Sequence, residues 1–191
     1  MVEQSDLEAW LVDCGALRTG HFELSSGRHS NGYVQCALLL ESPERAASVG
    51  QSLAALLSPY EPQSVLAPAL GGLIIGYEVA RALQVPFRFS ERKGGEMMLR
   101  RGFRMEQDER VVIVEDVVTT GRSTLETVAL AKAAGARVTA LASIIDRSGG
   151  STGFDRPYES LLAVDLGTWD PDECPLCAGG VETDAPGSRR A

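Results

Sequence analysis

The residues best equipped for chemistry fall in one run, Val111 to Thr124, VVIVEDVVTTGRST. Its first four residues are all β-branched, the pattern of a strand buried on both faces. Glu115 and Asp116 follow at once, then the small hydroxyl residues and glycine of Thr119, Thr120, Gly121, Ser123 and Thr124, then a helical pattern. Two carboxylates where a strand leaves its sheet can accept hydrogen bonds from the vicinal hydroxyls of a sugar. A hydroxyl-rich loop opening a helix suits a phosphate, because unpaired backbone N–H groups and the positive end of the helix dipole point at it. An isolated Thr-Thr-Gly turn would be an ordinary helix cap; the complete run asks for a phosphorylated sugar. It is neither a P-loop, which needs Gly-Lys-Ser/Thr, nor a G-x-G-x-x-G dinucleotide fingerprint.

Three further places carry candidate chemistry. Arg88, Arg92, Lys93, Arg100, Arg101 and Arg104 hold six of the chain's eighteen basic residues against only Glu91 and Glu96 nearby, so an anion is expected there, and Gly94-Gly95 suggests a mobile loop. Arg147 ends an apolar run, where its planar guanidinium could pair with a carboxylate or stay solvated. Cys174-Pro175-Leu176-Cys177 has the look of half a zinc knuckle. Cys14, Cys36, His21 or His29, or the same pair in a partner subunit, would have to complete it; otherwise the two thiols are a structural or redox-inert pair.

The elements that must position these residues alternate β-branched runs with Ala/Leu-rich helical stretches, which reads as an α/β fold. Helices are expected over Ser5 to Cys14, with Ser5 as N-cap, over Pro43 to Leu57 capped by Ser42, from Gly71-Gly72 to Leu83, and over Gly121 to Ala134. Strands are expected at His21–Leu24 and Tyr33–Gln35 around the turn-forming SSGRHSNG, then at Val65–Ala67, Val85–Phe89, Val111–Val114, Arg137–Ile145 and Leu161–Asp165, with a loop or hairpin arm over Met97 to Arg104 and a loop-like tail from Asp170. Such an order predicts a parallel sheet with ligands at the carboxyl ends of its strands.

Bulk composition narrows the class. A chain of 191 residues, 44% hydrophobic, fits one compact domain. A formal charge of −8 argues against general binding of nucleic acid, which needs a basic face. No apolar run approaches the roughly 20 residues of a membrane span, and MVEQSDLEAW lacks the order of a signal peptide, so a cytoplasmic protein with reduced thiols is expected.

VVIVEDVVTTGRST closely resembles the phosphoribosyl pyrophosphate (PRPP) signature of the type I phosphoribosyltransferases. GHFELSSGRHSNGYVQ in turn resembles the hood segment of the orotate phosphoribosyltransferases. The resemblance implies that family's fold, a central and mostly parallel sheet flanked by helices with a small N-terminal hood: one domain over 1–191, with hood about 1–40, PRPP-binding core about 41–168 and tail about 169–191. It implies that Glu115 and Asp116 hold the ribose hydroxyls, that Thr119, Thr120, Gly121, Arg122, Ser123 and Thr124 bind the 5′-phosphate, and that backbone donors of Leu70, Gly71 and Gly72 contact the pyrophosphate. Arg92 and Lys93, with Asp116, would be the catalytic groups, and Arg147, Thr119, Ser25 and Tyr33 would meet orotate. Mg²⁺ would arrive on PRPP without direct protein ligation, and a homodimer would place the mobile loop near the partner site.

This chain departs from the family in three places. Gly71 and Ser25 stand where lysines are common, and Gly94-Gly95-Glu96 follows Arg92-Lys93 where a longer loop with a lysine and a histidine is usual. A phosphoribosyltransferase for a purine or uracil, or a PRPP-sensing regulator, are the alternative readings. A regulator that binds nucleic acid should carry a basic face or an added module.

Overall fold

Val111 to Val114 are fully buried because helices cover both faces of the strand they belong to. The computed structural model describes residues 1–24 and 26–186. Along the chain run α1 (Gln4–Asp13), β1 (Leu17–Glu23), β2 (His29–Val34), α2 (Cys36–Leu40), α3 (Pro43–Leu57), β3 (Ser64–Pro68), α4 (Gly72–Leu83), β4 (Phe87–Lys93) and β5 (Glu96–Leu99). There follow β6 (Arg110–Val118), α5 (Arg122–Ala133), β7 (Arg137–Asp146), β8 (Tyr158–Ala163), β9 (Thr168–Trp169) and α6 (Pro175–Ala178).

The larger sheet has the order β5-β4-β3-β6-β7-β8. Every neighbouring pair is parallel except β4 with β5, so the expected mostly parallel sheet flanked by helices is what forms. Side chains alternate across β6. Val112 and Val114 join the core with Leu11, Val49, Leu53 and Ile75 of α1, α3 and α4, while Val111 and Ile113 join Val128 and Ala131 of α5. Ser42 caps α3 by accepting from Arg45 N, with Pro43 in the first turn; such a cap contributes about 1 kcal/mol.

A second sheet, β1-β2-β9, joins the N-terminal hairpin to the tail. β1 and β2 pair antiparallel, Leu17 opposite Val34 and Glu23 opposite His29, and β2 takes β9 on its other edge. The tail returns further: Asp184 N donates to His21 O and Glu23 N to Asp184 O, each at 2.8 Å.

Several boundaries differ from the sequence expectations. α1 begins at Gln4 behind Glu3, so Ser5 lies inside the helix and caps nothing. β4 starts at Phe87 and runs on through Arg92 and Lys93, because β3 and β5 pair with it and supply ladder partners that local propensity cannot reveal. β8 is registered from Tyr158, earlier than Leu161, by pairing with Leu141. Two elements have no clear local signal: the single helical turn α2, capped by Gln35, and β9, which exists only through its pairing with β2. Among the described residues no helix is long and apolar enough to cross a membrane.

Candidate active site

The acidic pair sits inside β6, which continues to Val118, and not beyond its end as the sequence suggested. Pairing with β7 extends the strand, Val117 opposite Ile145 and Val118 opposite Asp146. The alternation that separates the two cores carries on and sends the carboxylates to different neighbours. Glu115 accepts from Thr124 Oγ1 of α5 at 3.4 Å. Asp116 lies against Gly71, where α4 begins: a Cβ built on Gly71 would come 2.6 Å from Asp116 Oδ2. A side chain at position 71 would have to displace the Asp116 carboxylate, which glycine lets lie against the start of α4.

Both carboxyls are held above their ordinary range. Glu115 is pushed up to about 8, first by burial and then by the charge of Asp116, with the Thr124 hydroxyl pulling the other way. Burial raises Asp116 too, opposed by backbone N–H donors. A buried carboxyl with few donors is a site short of hydrogen-bond donors, and vicinal hydroxyls of a sugar would supply them.

Beyond Val118 the chain turns into α5 through Gly121, whose φ of +70° is the left-handed region. A Cβ there would also lie 2.7 Å from the Phe154 ring. Glu115, Val117, Val118 and residues 119–124 enclose a recess of about 60 Å³. Thr119, Thr120, Arg122 and Ser123 line it from the exposed side, with Thr124 buried. Arg122 N donates to Thr120 Oγ1 at 3.4 Å, shaping the turn. The recess opens at the N-terminus of α5, the geometry that attracts an anion. A larger hollow, lined by Arg88, Glu109 and Arg110 among others, lies at the other end of β6, where the strand begins, away from the carboxyl-end edge at which ligands of such sheets bind.

Arg147 is brought to this recess by its backbone: its N donates to Val118 O at 2.8 Å. Its guanidinium is half-buried, its Nε has no hydrogen-bond partner, and burial alone lowers its pKa. The Ala69–Leu70 peptide is cis, Leu70 is exposed, and Gly71 and Gly72 stand at the N-terminus of α4 beside Asp116. Tyr33 stays in the hood, its ring 5.8 Å from that of Phe22. Ser25 lies outside the described residues.

The basic cluster is not the free anion site its sequence suggested. Gly94 and Gly95, at φ 61° and 90°, make a two-residue turn between β4 and β5, with Lys93 paired to Glu96, as such hairpins require. Of the loop or hairpin expected here, a hairpin with ladder pairing forms. Arg88 binds Glu109 at 2.6 Å, and Arg101 makes two bonds to Glu91 at 2.7 and 3.1 Å. Arg92 pairs with Glu126 of α5 and donates to Gly95 O at 2.6 Å. Arg122 binds the same Glu126 at 3.0 Å, and the two cations hold the Glu126 carboxyl below its usual range, Arg92 foremost. Among the described residues Lys93 and Arg104 have no ion pair. Glu126 was missed in the sequence because nothing local marks it: only the fold brings β4 against α5.

Cys174 and Cys177 meet His21 and His29 of the hood, whereas Cys14 and Cys36 lie elsewhere, Cys36 buried as the first residue of α2 with its thiol 3.9 Å from Asp116 O.

Residues 39–158 match the phosphoribosyl transferase domain family. An orotate phosphoribosyltransferase of Thermotoga maritima is 53% identical over 179 residues, covering 94% of this chain and 96% of that protein, and one of Carboxydothermus hydrogenoformans is 49% identical over 187 residues, covering 97% and 98%. The crystal structure of orotate phosphoribosyltransferase from Aeropyrum pernix, 26% identical, superposes with a TM-score of 0.71 over 83% of this chain and 93% of that one. The chain belongs to the phosphoribosyltransferase family, and within it to the orotate phosphoribosyltransferases.

Proposed function

We propose that the chain transfers the phosphoribosyl group of PRPP to orotate, giving orotidine 5′-monophosphate and pyrophosphate, a step of pyrimidine biosynthesis. The observation that carries this is the joint placement, at one end of β6, of a small recess at a helix N-terminus, two buried carboxyls raised by burial and an arginine with an unpartnered Nε. The recess takes the 5′-phosphate through the backbone and hydroxyls of Thr119, Thr120, Gly121, Arg122, Ser123 and Thr124. Glu115 and Asp116 take the ribose hydroxyls. The half-buried Arg147 takes the carboxylate that orotate has and uracil lacks, with Thr119 and the hood residue Tyr33 nearer the base.

In the reaction a ring nitrogen of orotate bonds to the anomeric carbon as the bond from that carbon to pyrophosphate breaks. Positive charge grows on the ribose ring and negative charge on the leaving group. Asp116 and Glu115 stabilise the first; the N–H groups of Leu70, Gly71 and Gly72, with Arg92 and Lys93, stabilise the second. Arg92 must exchange Glu126 for the pyrophosphate to do so. Mg²⁺ would arrive with PRPP and neutralise its phosphates, leaving Glu115 and Asp116 to the ribose hydroxyls.

The exposed side chains of Leu70, Ile74 and Tyr77 recur at helical spacing beside the site and support a homodimer through this face; light scattering on the purified protein tests it. Four free thiols support a reducing, cytoplasmic setting. The functional reading is tested by supplying PRPP and Mg²⁺ with orotate, uracil, adenine or hypoxanthine in turn. Nucleotide should form from orotate alone; turnover of a purine or uracil with orotate untouched defeats it.

A further inference from the structure

Away from the active site, two histidines of the hood and two cysteines of the tail place their donor atoms within 4.8 Å of one another. His21 Nε2 is 2.8 Å from His29 Nδ1, Cys174 Sγ is 3.5 Å from His21 Nε2, and Cys177 Sγ is 3.2 Å from His29 Nδ1 and 3.7 Å from His21 Nε2. A tetrahedral zinc ion with bonds of about 2.0–2.1 Å to nitrogen and about 2.3 Å to sulfur separates its ligands by roughly 3.3–3.8 Å. Three of these four separations lie close to those edges; binding would move the two imidazoles apart and draw in the widest pair, which lies within 4.8 Å.

Hydrogen-bond chemistry favours the cation. His21 Nδ1 faces Val181 O at 2.8 Å; a carbonyl only accepts, so Nδ1 carries the proton and Nε2 presents a lone pair. That single lone pair faces His29 Nδ1 and both sulfurs at once, and it can satisfy one of them. A metal resolves the conflict by accepting from all four. The Nδ1–H to carbonyl bond is also the outer contact that orients a metal-bound imidazole. His21, His29 and Cys174 are buried while Cys177 is exposed, which gives the ion a way in. The two cysteines flank one turn, Cys174 preceding α6 and Gly180 N closing on Cys177 O at 2.9 Å, a C-x-x-C spacing that turns both sulfurs to one side.

We propose that His21 Nε2, His29 Nδ1 and the thiolates of Cys174 and Cys177 bind one zinc ion, a closed four-ligand site that clasps the C-terminal tail to the hood. The ligand pairs are separated by about 150 residues of sequence, and the tail between Cys177 and Asp184 lies across β1 through the bonds of His21 O and Glu23 N with Asp184 and the 2.8 Å Arg18–Asp184 ion pair. Four protein ligands leave no open position, so the role is structural. None of the four ligands is among the groups placed in the phosphoribosyl transfer.

The test uses the full chain, free of added histidines, purified with reductant and without chelator. Elemental analysis should find one zinc per chain, and replacement by cobalt(II) should give the visible bands of a tetrahedral ion with a sulfur-to-cobalt charge-transfer band. Cys177→Ser, at an exposed position, should lower metal affinity by about 10-fold or more and weaken that band. Hydrogen exchange in residues 168–184 should speed up on metal removal while β6 and β7 stay protected. Reduced protein that carries no zinc and gives no cobalt spectrum overturns the proposal, as does unchanged occupancy in Cys177→Ser.

Discussion

The hydroxyl loop after β6 and the basic hairpin are built in opposite ways. Residues 115–124 are contiguous: strand, carboxylates, hydroxyl loop and helix follow one another, and each element positions the next. The hairpin of β4 and β5 takes its meaning from partners further along the chain, Arg88 from Glu109 and Arg92 from Glu126. The first is a recess at a helix N-terminus. The second is a set of cations of which Arg88, Arg92, Arg100 and Arg101 are held by carboxylates, while Lys93 and Arg104 have no ion pair among the described residues. Charge counted along a sequence therefore overstates the field that a folded surface presents.

The largest effect should come from the contiguous region. Asp116→Asn should lower kcat/KM for PRPP by about 100-fold or more, the scale on which removing one electrostatic stabiliser acts, with the fold intact by circular dichroism; a loss under tenfold would move the ribose role elsewhere. Arg147→Ala should come next, raising KM for orotate by about 10- to 100-fold, the worth of a charged hydrogen-bond pair, while KM for PRPP stays put. Equal changes in both KM values would contradict that division of labour.

Acidity sharpens the same side of the comparison. Glu115, at about 8 in the folded chain against an ordinary 4.5, adds stability that is complete below about 4.5 and is lost as pH rises through about 8. PRPP hydroxyls favour the carboxylate, so binding below pH 8 must expel a proton. PRPP affinity measured by calorimetry should accordingly rise toward pH 8 and level off, and Glu115→Gln should flatten the rise. An equally steep rise in the variant would remove Glu115 from the ribose site.

The smallest effect belongs to the hairpin. Glu126→Gln frees Arg92 and Arg122 and should change kcat by no more than a few-fold, the scale of an exposed ion pair, with initial rates as the readout. A collapse of activity would show that Glu126 holds Arg92 in its working position and that the hairpin is as preformed as the loop.

The sequence was most readable where function is local. The apolar strand, the acidic pair, Gly121 and the capped helix from Pro43 to Leu57 all announce themselves through neighbours. The continuation of β6 through Glu115 and Asp116, the extension of β4 to Lys93 and the existence of β9 depend on ladder partners. The contact of Gly71 with Asp116 joins positions forty-five residues apart. His21 and His29 appear in the sequence as two among several candidates for Cys174 and Cys177; the return of the tail across β1 selects them.

The central claim is tested most directly by stoichiometry. With PRPP and Mg²⁺ in excess, orotate loss, orotidine 5′-monophosphate and pyrophosphate should appear in equal amounts, with no orotate consumed when PRPP is omitted. Pyrophosphate released without loss of orotate would mean that the site binds and hydrolyses PRPP without transferring its sugar to this base, and would contradict the account.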